Sequence, residues 1–327
     1  MARPTTLEKT TSLMHSLFYI ISSNMPHVST IIPTHNREEF IGRAIESVLE
    51  QTCSEFELLV VDDGSTDGTV DVVKAYSDDR VNCLTLDTNQ GANAARNAGI
   101  QHATGEYITF LDSDDEYDST FIETVIKSLT KAPDNIGGVY TSRRQVYEGN
   151  EVEIHFANQS LSNPQTVVHD YQAYGFSNWA FRADVFDQVG MLDETFPGLQ
   201  DREFMIRYLR EYDLQPINEI LVTQYLHSGQ MSTNSDRKLE ALEGLLTKYS
   251  ELFDEMAQAH VDYYRGWLYA KDGDIEMAQQ YFWRSLRQQP FRPKYQLQAV
   301  ASLFGQTGFK AINSLKQRTK YLIYQYR

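Results

Sequence analysis

From Val28 onward the chain alternates between unbroken apolar runs and stretches in which apolar residues return every three or four positions. Val28–Pro33, Glu57–Asp62, Val81–Leu86, Glu106–Leu111 and Gly137–Ser142 read as strands. Between them, Glu38–Gln51 carries Ile41, Ala44, Ile45, Val48 and Leu49 at helical spacing, and Thr69–Tyr76, Asn93–Ala103 and Ser119–Lys131 read as further helices. Strand–helix alternation of this length predicts an α/β fold, a mainly parallel Rossmann-like sheet covered by helices on both faces. Ligands of such sheets sit beyond the carboxyl ends of the strands. Three polar clusters fall there: Pro33-Thr34-His35-Asn36, Asp62-Asp63-Gly64-Ser65 and Asp112-Ser113-Asp114-Asp115. They are expected to converge on one crevice.

The second half is less regular. Residues 145–180 read as loops with an antiparallel extension, Asp184–Val189 and Arg202–Tyr212 as helices, and Leu214–Tyr225 as strand. From Asp236 the chain turns helical, with Leu239, Leu242, Leu245, Leu246 and Tyr249 on one face. Tyr264–Pro290 resembles a single tetratricopeptide-type hairpin. One such unit is short of the roughly three that a free-standing solenoid needs, so it is expected to pack on the preceding domain or on a partner. The division read from these patterns is a flexible extension at 1–26, a catalytic domain at 27–235 and a helical appendage with a basic tail at 236–327.

Composition narrows the picture. With 41% hydrophobic and 23% charged residues the chain is ordinary globular material. Cys53 and Cys83 make no disulfide framework and have no metal-ligand spacing, which suits a reducing compartment. A net charge of −16 argues against nucleic acid as a partner. Nine Lys and Arg and no Asp or Glu lie between Met277 and Arg327, leaving −25 for residues 1–276. An acidic body with a basic tail points to an anionic partner for the tail. No apolar run approaches the ~18–20 residues of a membrane span. Leu13–Ser22 is short, contains His15 and lacks a clear cleavage site, which argues against a signal peptide.

The acidic clusters carry the chemistry. Carboxylates as close as Asp112, Asp114 and Asp115 repel unless a cation or hydrogen-bond donors intervene. Mg2+ or Mn2+ shared with substrate phosphates would remove the conflict; a solvated turn capping the helix near Ser119 would also account for the pattern. Calcium loops fail by register: one starting at Asp112 needs Gly where Tyr117 stands, and one starting at Asp63 has Lys74 in place of the closing Glu. Asp63 suits hydrogen bonding to a nucleobase N–H, and Asp67 a helix cap. The small, polar run Asn89–Gly99 lets a helix approach the sheet closely, with Arg96 placed for an acidic strand end or a nucleotide.

In this order, four segments resemble the family 2 glycosyltransferases of the GT-A fold: Val28–Arg37, Val61–Asp67, Asn89–Gly99 and Gly105–Asp115. The resemblance implies that Pro33, Thr34, Asn36, Asp63 and Arg96 line a nucleotide site, with Asp63 near the base. It implies that Asp112 and Asp114 hold ribose and a metal-bound diphosphate, with Asp115 a further candidate and Mn2+ or Mg2+ as cofactor. A later acidic motif matches Gly198-Leu199-Gln200-Asp201-Arg202-Glu203-Phe204, where Gln200 replaces the more usual Glu and Asp201 keeps the position of the catalytic base. The lesser alternative is that Asp201 simply caps the following helix. Tyr225–Ser232 resembles a segment that closes over the diphosphate, which makes His227 either a metal or phosphate contact or a structural histidine. Trp179 is either an acceptor platform or a core residue.

The implied activity is inverting transfer of one sugar from a nucleoside diphosphate sugar, UDP before GDP or dTDP, to a saccharide or lipid-linked saccharide. The Gln-x-x-Arg-Trp motif and membrane helices of relatives that polymerise sugars through the membrane are both missing from the sequence. A scaffold that binds nucleotide sugars without chemistry is the alternative. Residues 277–327, where aromatic and aliphatic residues interleave with Lys and Arg, can lie on an anionic membrane surface or pack on the acidic body. The expected location is cytoplasmic, peripheral at the inner face of the cell membrane.

Overall fold

A computed structural model describes residues 28–147, 152–169, 175–226 and 234–312. The N-terminal extension, His227 and residues 313–327 of the basic tail lie outside it. Within it, a nine-stranded sheet forms the centre: β1 (Val28–Thr34), β2 (Phe56–Asp62), β3 (Val81–Thr85), β4 (Tyr107–Phe110), β5 (Glu116–Tyr117), β6 (Ile136–Tyr147), β7 (Val152–His155), β8 (Trp179–Arg182) and β9 (Asp213–Leu226). The order is β3-β2-β1-β4-β8-β6-β9-β5, with β7 added to β6. The pairs β3–β2, β2–β1 and β1–β4 are parallel, whereas β8 joins β4 and β6 antiparallel. The sheet is thus parallel where the apolar runs predict it and mixed beyond β4.

The inner parallel strands β1, β2 and β4 read as largely apolar runs because both their faces are buried, whereas the edge strand β3 has no fully buried residue. Alternate residues serve opposite layers. Ile31, Leu59 and Val61 pack in one core with Ile108 and Phe110, while Val28, Ile32, Leu58 and Val60 pack in the other. Helices α1 (Ile41–Leu49) and α4 (Phe121–Lys131) cover the second layer, α1 through Ile41, Ala44, Ile45 and Val48. Two polar residues inside β1 are satisfied laterally. Ser29 Oγ donates to Glu57 at 2.6 Å, and the Thr30 and Thr109 hydroxyls share a bond of 3.0 Å.

Helices α2 (Thr69–Lys74), α3 (Ala92–His102), α5 (Gln165–His169), α6 (Val185–Val189) and α7 (Gln200–Tyr208) complete the domain. Then follow α8 (Ser235–Lys248), α9 (Glu255–Asp272), α10 (Ile275–Gln288) and α11 (Pro293–Ser302). The hairpin expected at Tyr264–Pro290 is the α9–α10 pair. It turns at Gly273, whose φ of 92° favours glycine, and Asp274 caps α10 by accepting from the Met277 N–H. Ala241 and Leu245 of α8, Tyr249 and Ala257 join the first core, so the helical region packs directly on the sheet domain. Among the described residues no helix is long and apolar enough to cross a membrane.

Candidate active site

A cavity of about 410 Å³ opens at the carboxyl ends of β1, β2 and β4. Pro33, Thr34, Asn36, Asp63, Arg96, Asp112 and Asp114 all line it. These seven come from the end of β1, three loops and one helix, and side-chain bonds tie the loops together.

The loop after β1 is fixed by Asn36, a non-glycine residue at φ 52°. Its N–H donates to Ser65 Oγ at 2.8 Å, and its Oδ1 accepts the Thr66 N–H at 2.8 Å, locking the loops after β1 and β2 together. Bonds of this kind offset the cost of a left-handed residue. Asp63 links the second loop to the third. Its Oδ1 accepts the Gln90 N–H and its Oδ2 the Gly91 N–H, both at 2.7 Å. Both carboxylate oxygens therefore organise the turn that launches α3, where Gly91 has φ 101°. The base-binding position expected of Asp63 coincides with a loop-building one.

The acidic turn after β4 is buried rather than solvated. Ser113, Asp114 and Asp115 are nearly inaccessible, and only the Asp112 side chain, 33% exposed, opens to the cavity appreciably. Arg96 of α3 holds Asp112 Oδ1 at 2.6 Å, with its guanidinium 4.3 Å above the Phe176 ring. Arg43 of α1 donates to the Asp114 carbonyl at 2.7 Å and stacks on Tyr225. Asp115 turns inward, away from the cavity wall. It accepts Ser177 Oγ–H at 2.7 Å, while the same Ser177 oxygen accepts the Asp112 N–H at 3.1 Å. Burial, and then the charges of Asp112 and Asp114, push the Asp115 carboxyl well above the usual carboxylate range. Three adjacent aspartates are thus tolerated by separating their environments.

Asp112 and Asp114 are hard oxygen donors on one wall, while no group of three or more metal-ligating side chains occurs among the described residues. Two carboxylates fit Mg2+ or Mn2+ when substrate phosphate oxygens complete the shell. They do not form an all-protein cage.

Asp201 lies in the first turn of α7 and is not part of the cavity wall. Its local frame is well defined: Leu199 at φ 50° precedes the helix, and Phe204, Met205 and Ile206 are buried along it. Burial raises the Asp201 carboxyl above its ordinary value, opposed by the charges of Arg202, Arg143 and Lys238. Lys238, from α8, is itself pulled down to about 8 by burial and by Lys271 and Arg202. Behind Asp201, the buried Glu203 accepts from Arg207, Lys248 and Tyr249. Burial opposes its ionisation, but these partners outweigh it and hold Glu203 below its ordinary pKa. Trp179 is fully buried, edge-on to Phe176 at 5.2 Å, and so belongs to the core.

Arg43, Ser177 and Gln224 were not legible as site residues, and Glu203 was legible only as part of the motif around Asp201. Arg43 looks like one cation on the polar side of an amphipathic helix, and Ser177 sits in no motif.

The glycosyl transferase family 2 profile matches residues 29–190, the span from β1 through α6. A glycosyltransferase of Haemophilus influenzae is 30% identical over 214 residues, covering 64% of this chain and 71% of that protein. The chain belongs to glycosyl transferase family 2. Another relative, the Escherichia coli UDP-Glc:alpha-D-GlcNAc-diphosphoundecaprenol beta-1,3-glucosyltransferase WfaP, is 28% identical over 218 residues, 66% of this chain and 83% of its own length. Two solved structures share the fold at lower identity. S. aureus TarS 1–349 with UDP-GlcNAc has a TM-score of 0.58 and 21% identity, covering 84% of this chain and 79% of that one. The mannosyltransferase PcManGT of Pyrobaculum calidifontis, with GDP-Man and Mn2+, has a TM-score of 0.60 and 18% identity, covering 91% and 86%. The family 2 match ends before Asp201, but the structural likeness extends into the helical region.

Proposed function

We propose that this family 2 glycosyltransferase binds a nucleoside diphosphate sugar, UDP-linked first, in the cavity bounded by Asp63, Arg96, Asp112 and Asp114. It transfers the sugar with inversion to an acceptor hydroxyl. The observation that carries this reading is the acidic corner: Asp112, pinned by Arg96, and Asp114 share one wall of a cavity large enough for a nucleotide. A bound Mn2+ or Mg2+ would supply charge neutralisation for the departing diphosphate.

The chain's own residues divide the remaining work. The Pro33–Asn36 loop and Asp63 shape the nucleoside end, and Arg96 holds Asp112 in one orientation. Asp115 acts beneath them as a positioning residue through Ser177. Asp201 takes the proton of the acceptor hydroxyl, which requires the acceptor to lie between α7 and the donor. The nearby Arg202, Arg143 and Lys238 favour its ionised, proton-accepting form. A lipid-linked saccharide is the proposed acceptor, because the relative WfaP is named for transfer to a saccharide on diphosphoundecaprenol.

The test is release of nucleoside diphosphate from UDP-, GDP- and dTDP-sugars in Mn2+, with and without a polyprenyl-diphosphate saccharide. One donor is expected to react, faster with acceptor. Tight donor binding without turnover of any sugar would leave the scaffold reading instead.

A further inference from the structure

Helix α11 shows two unlike faces. Tyr295, Gln298, Ala299, Ala301 and Ser302 are buried against the α9–α10 pair. Leu297 and Val300 face outward, continued by Leu303 at 59% and Phe304 at 71% exposure and preceded by Phe291 at 91%. Leu297 and Val300 lie about one turn apart on the outward side of α11, and Leu303 and Phe304 follow directly after its last residue, so these four extend one apolar ridge, with Phe291 in the turn before the helix. A single exposed leucine is unremarkable, but five exposed large apolar side chains within fourteen residues call for a partner. Arg287, Arg292 and Lys310 are exposed before and after the ridge along the chain, and no Asp or Glu occurs from Met277 to Arg327.

We propose that this ridge seats the enzyme on an anionic lipid surface, with Phe291, Leu303 and Phe304 entering the headgroup–acyl boundary and Arg287, Arg292 and Lys310 meeting lipid phosphates. An apolar edge with basic flanks matches a bilayer interface in both of its terms. A second copy of the chain matches it less well. The only other exposed large hydrophobic residue described is Phe156, so among the described residues another copy offers no comparable apolar patch except the same ridge. Pairing ridge to ridge would bring the flanking cations together and repel. The ten residues of α11 are too few to span a bilayer, so the contact is with the surface. The chain beyond residue 312 continues in the same chemistry, with Lys316, Arg318, Lys320 and Arg327 among Tyr321, Leu322, Ile323 and Tyr324. Delivery of a lipid-linked acceptor to Asp201 rests on the function proposed above; the lipid contact itself does not.

The test is co-sedimentation of the full chain with phosphatidylglycerol-containing vesicles and with pure phosphatidylcholine vesicles. Wild type is expected to favour the anionic vesicles and to be released by salt. Phe291→Ser/Leu303→Ser/Phe304→Ser, altering only exposed side chains, should weaken binding about tenfold or more with its thermal melt unchanged. Arg287→Glu/Arg292→Glu/Lys310→Glu should abolish the preference for anionic lipid. Wild type failing to bind anionic vesicles, or the triple serine variant binding as wild type does, would overturn the proposal. Loss of self-association in that variant, with no vesicle binding by wild type, would assign the ridge to a second copy instead. Donor hydrolysis in vesicle-free solution should be the same in wild type and the serine variant, which separates failure here from failure of the donor site.

Discussion

Asp201→Asn is expected to lower kcat about a thousandfold while leaving the donor affinity unchanged. A positioned general base contributes roughly 10²–10⁴ in rate, and Asn keeps the shape while losing the proton acceptor. Donor affinity should hold because Asp201 lies off the cavity wall. Wild type adds a pH signature. Burial raises the Asp201 carboxyl, and only its ionised form accepts a proton. The rate should therefore fall as pH drops through a value above that of an ordinary aspartate. In the Asp201→Asn variant the residual rate should lack this acid limb. Steady-state kinetics across pH measure both, and near-wild-type turnover by Asp201→Asn would remove the residue from the mechanism.

Glu203→Ala is expected to cost about 2–3 kcal/mol of folding stability, since it removes the buried acceptor shared by the partly buried Arg207, the exposed Lys248 and the buried Tyr249 hydroxyl. Glu203 accepts two bonds from Arg207, at 3.0 and 2.9 Å, one from Lys248 at 2.8 Å and one from Tyr249 at 2.7 Å. It thereby joins α7, which carries Asp201, to the end of α8. By contrast, the exposed Arg210–Glu251 pair should contribute less than about 1 kcal/mol. Urea unfolding of Glu203→Ala and Glu251→Ala compares the two directly. Equal midpoints would show that Glu203 is not the tie between α7 and α8.

These two residues also mark how far the sequence could be read. Buried parallel strands announce themselves, because burial on both faces selects unbroken apolar runs; β1, β2 and β4 were legible for that reason. So was the convergence of three strand-end loops, which follows from parallel topology alone. The insertion of β8 between β4 and β6 was not, because antiparallel joins in a mixed sheet leave no fixed period. Within Asp112–Asp115, the residue types are nearly identical and only the turn geometry sends Asp112 outward and Asp115 inward to Ser177. Ser177 lies 62 positions further along, and Glu203 meets Tyr249 across 46. Such pairings depend on tertiary packing, which local pattern does not encode. Trp179 had an ambiguous sequence context, and its place in the core is decided by the aromatic neighbours around it.

Asp114 and the cation it is proposed to share with the donor form the centre of the account. The most direct measurement is calorimetric titration of UDP, with GDP and dTDP in parallel, into wild type and Asp114→Ala, each with and without Mn2+. For wild type one nucleotide should bind at least about tenfold more tightly with Mn2+, as expected when a diphosphate and carboxylates share an ion, and Asp114→Ala should lose that enhancement. An Mn2+-dependent gain of the same size in Asp114→Ala would contradict the donor-site assignment.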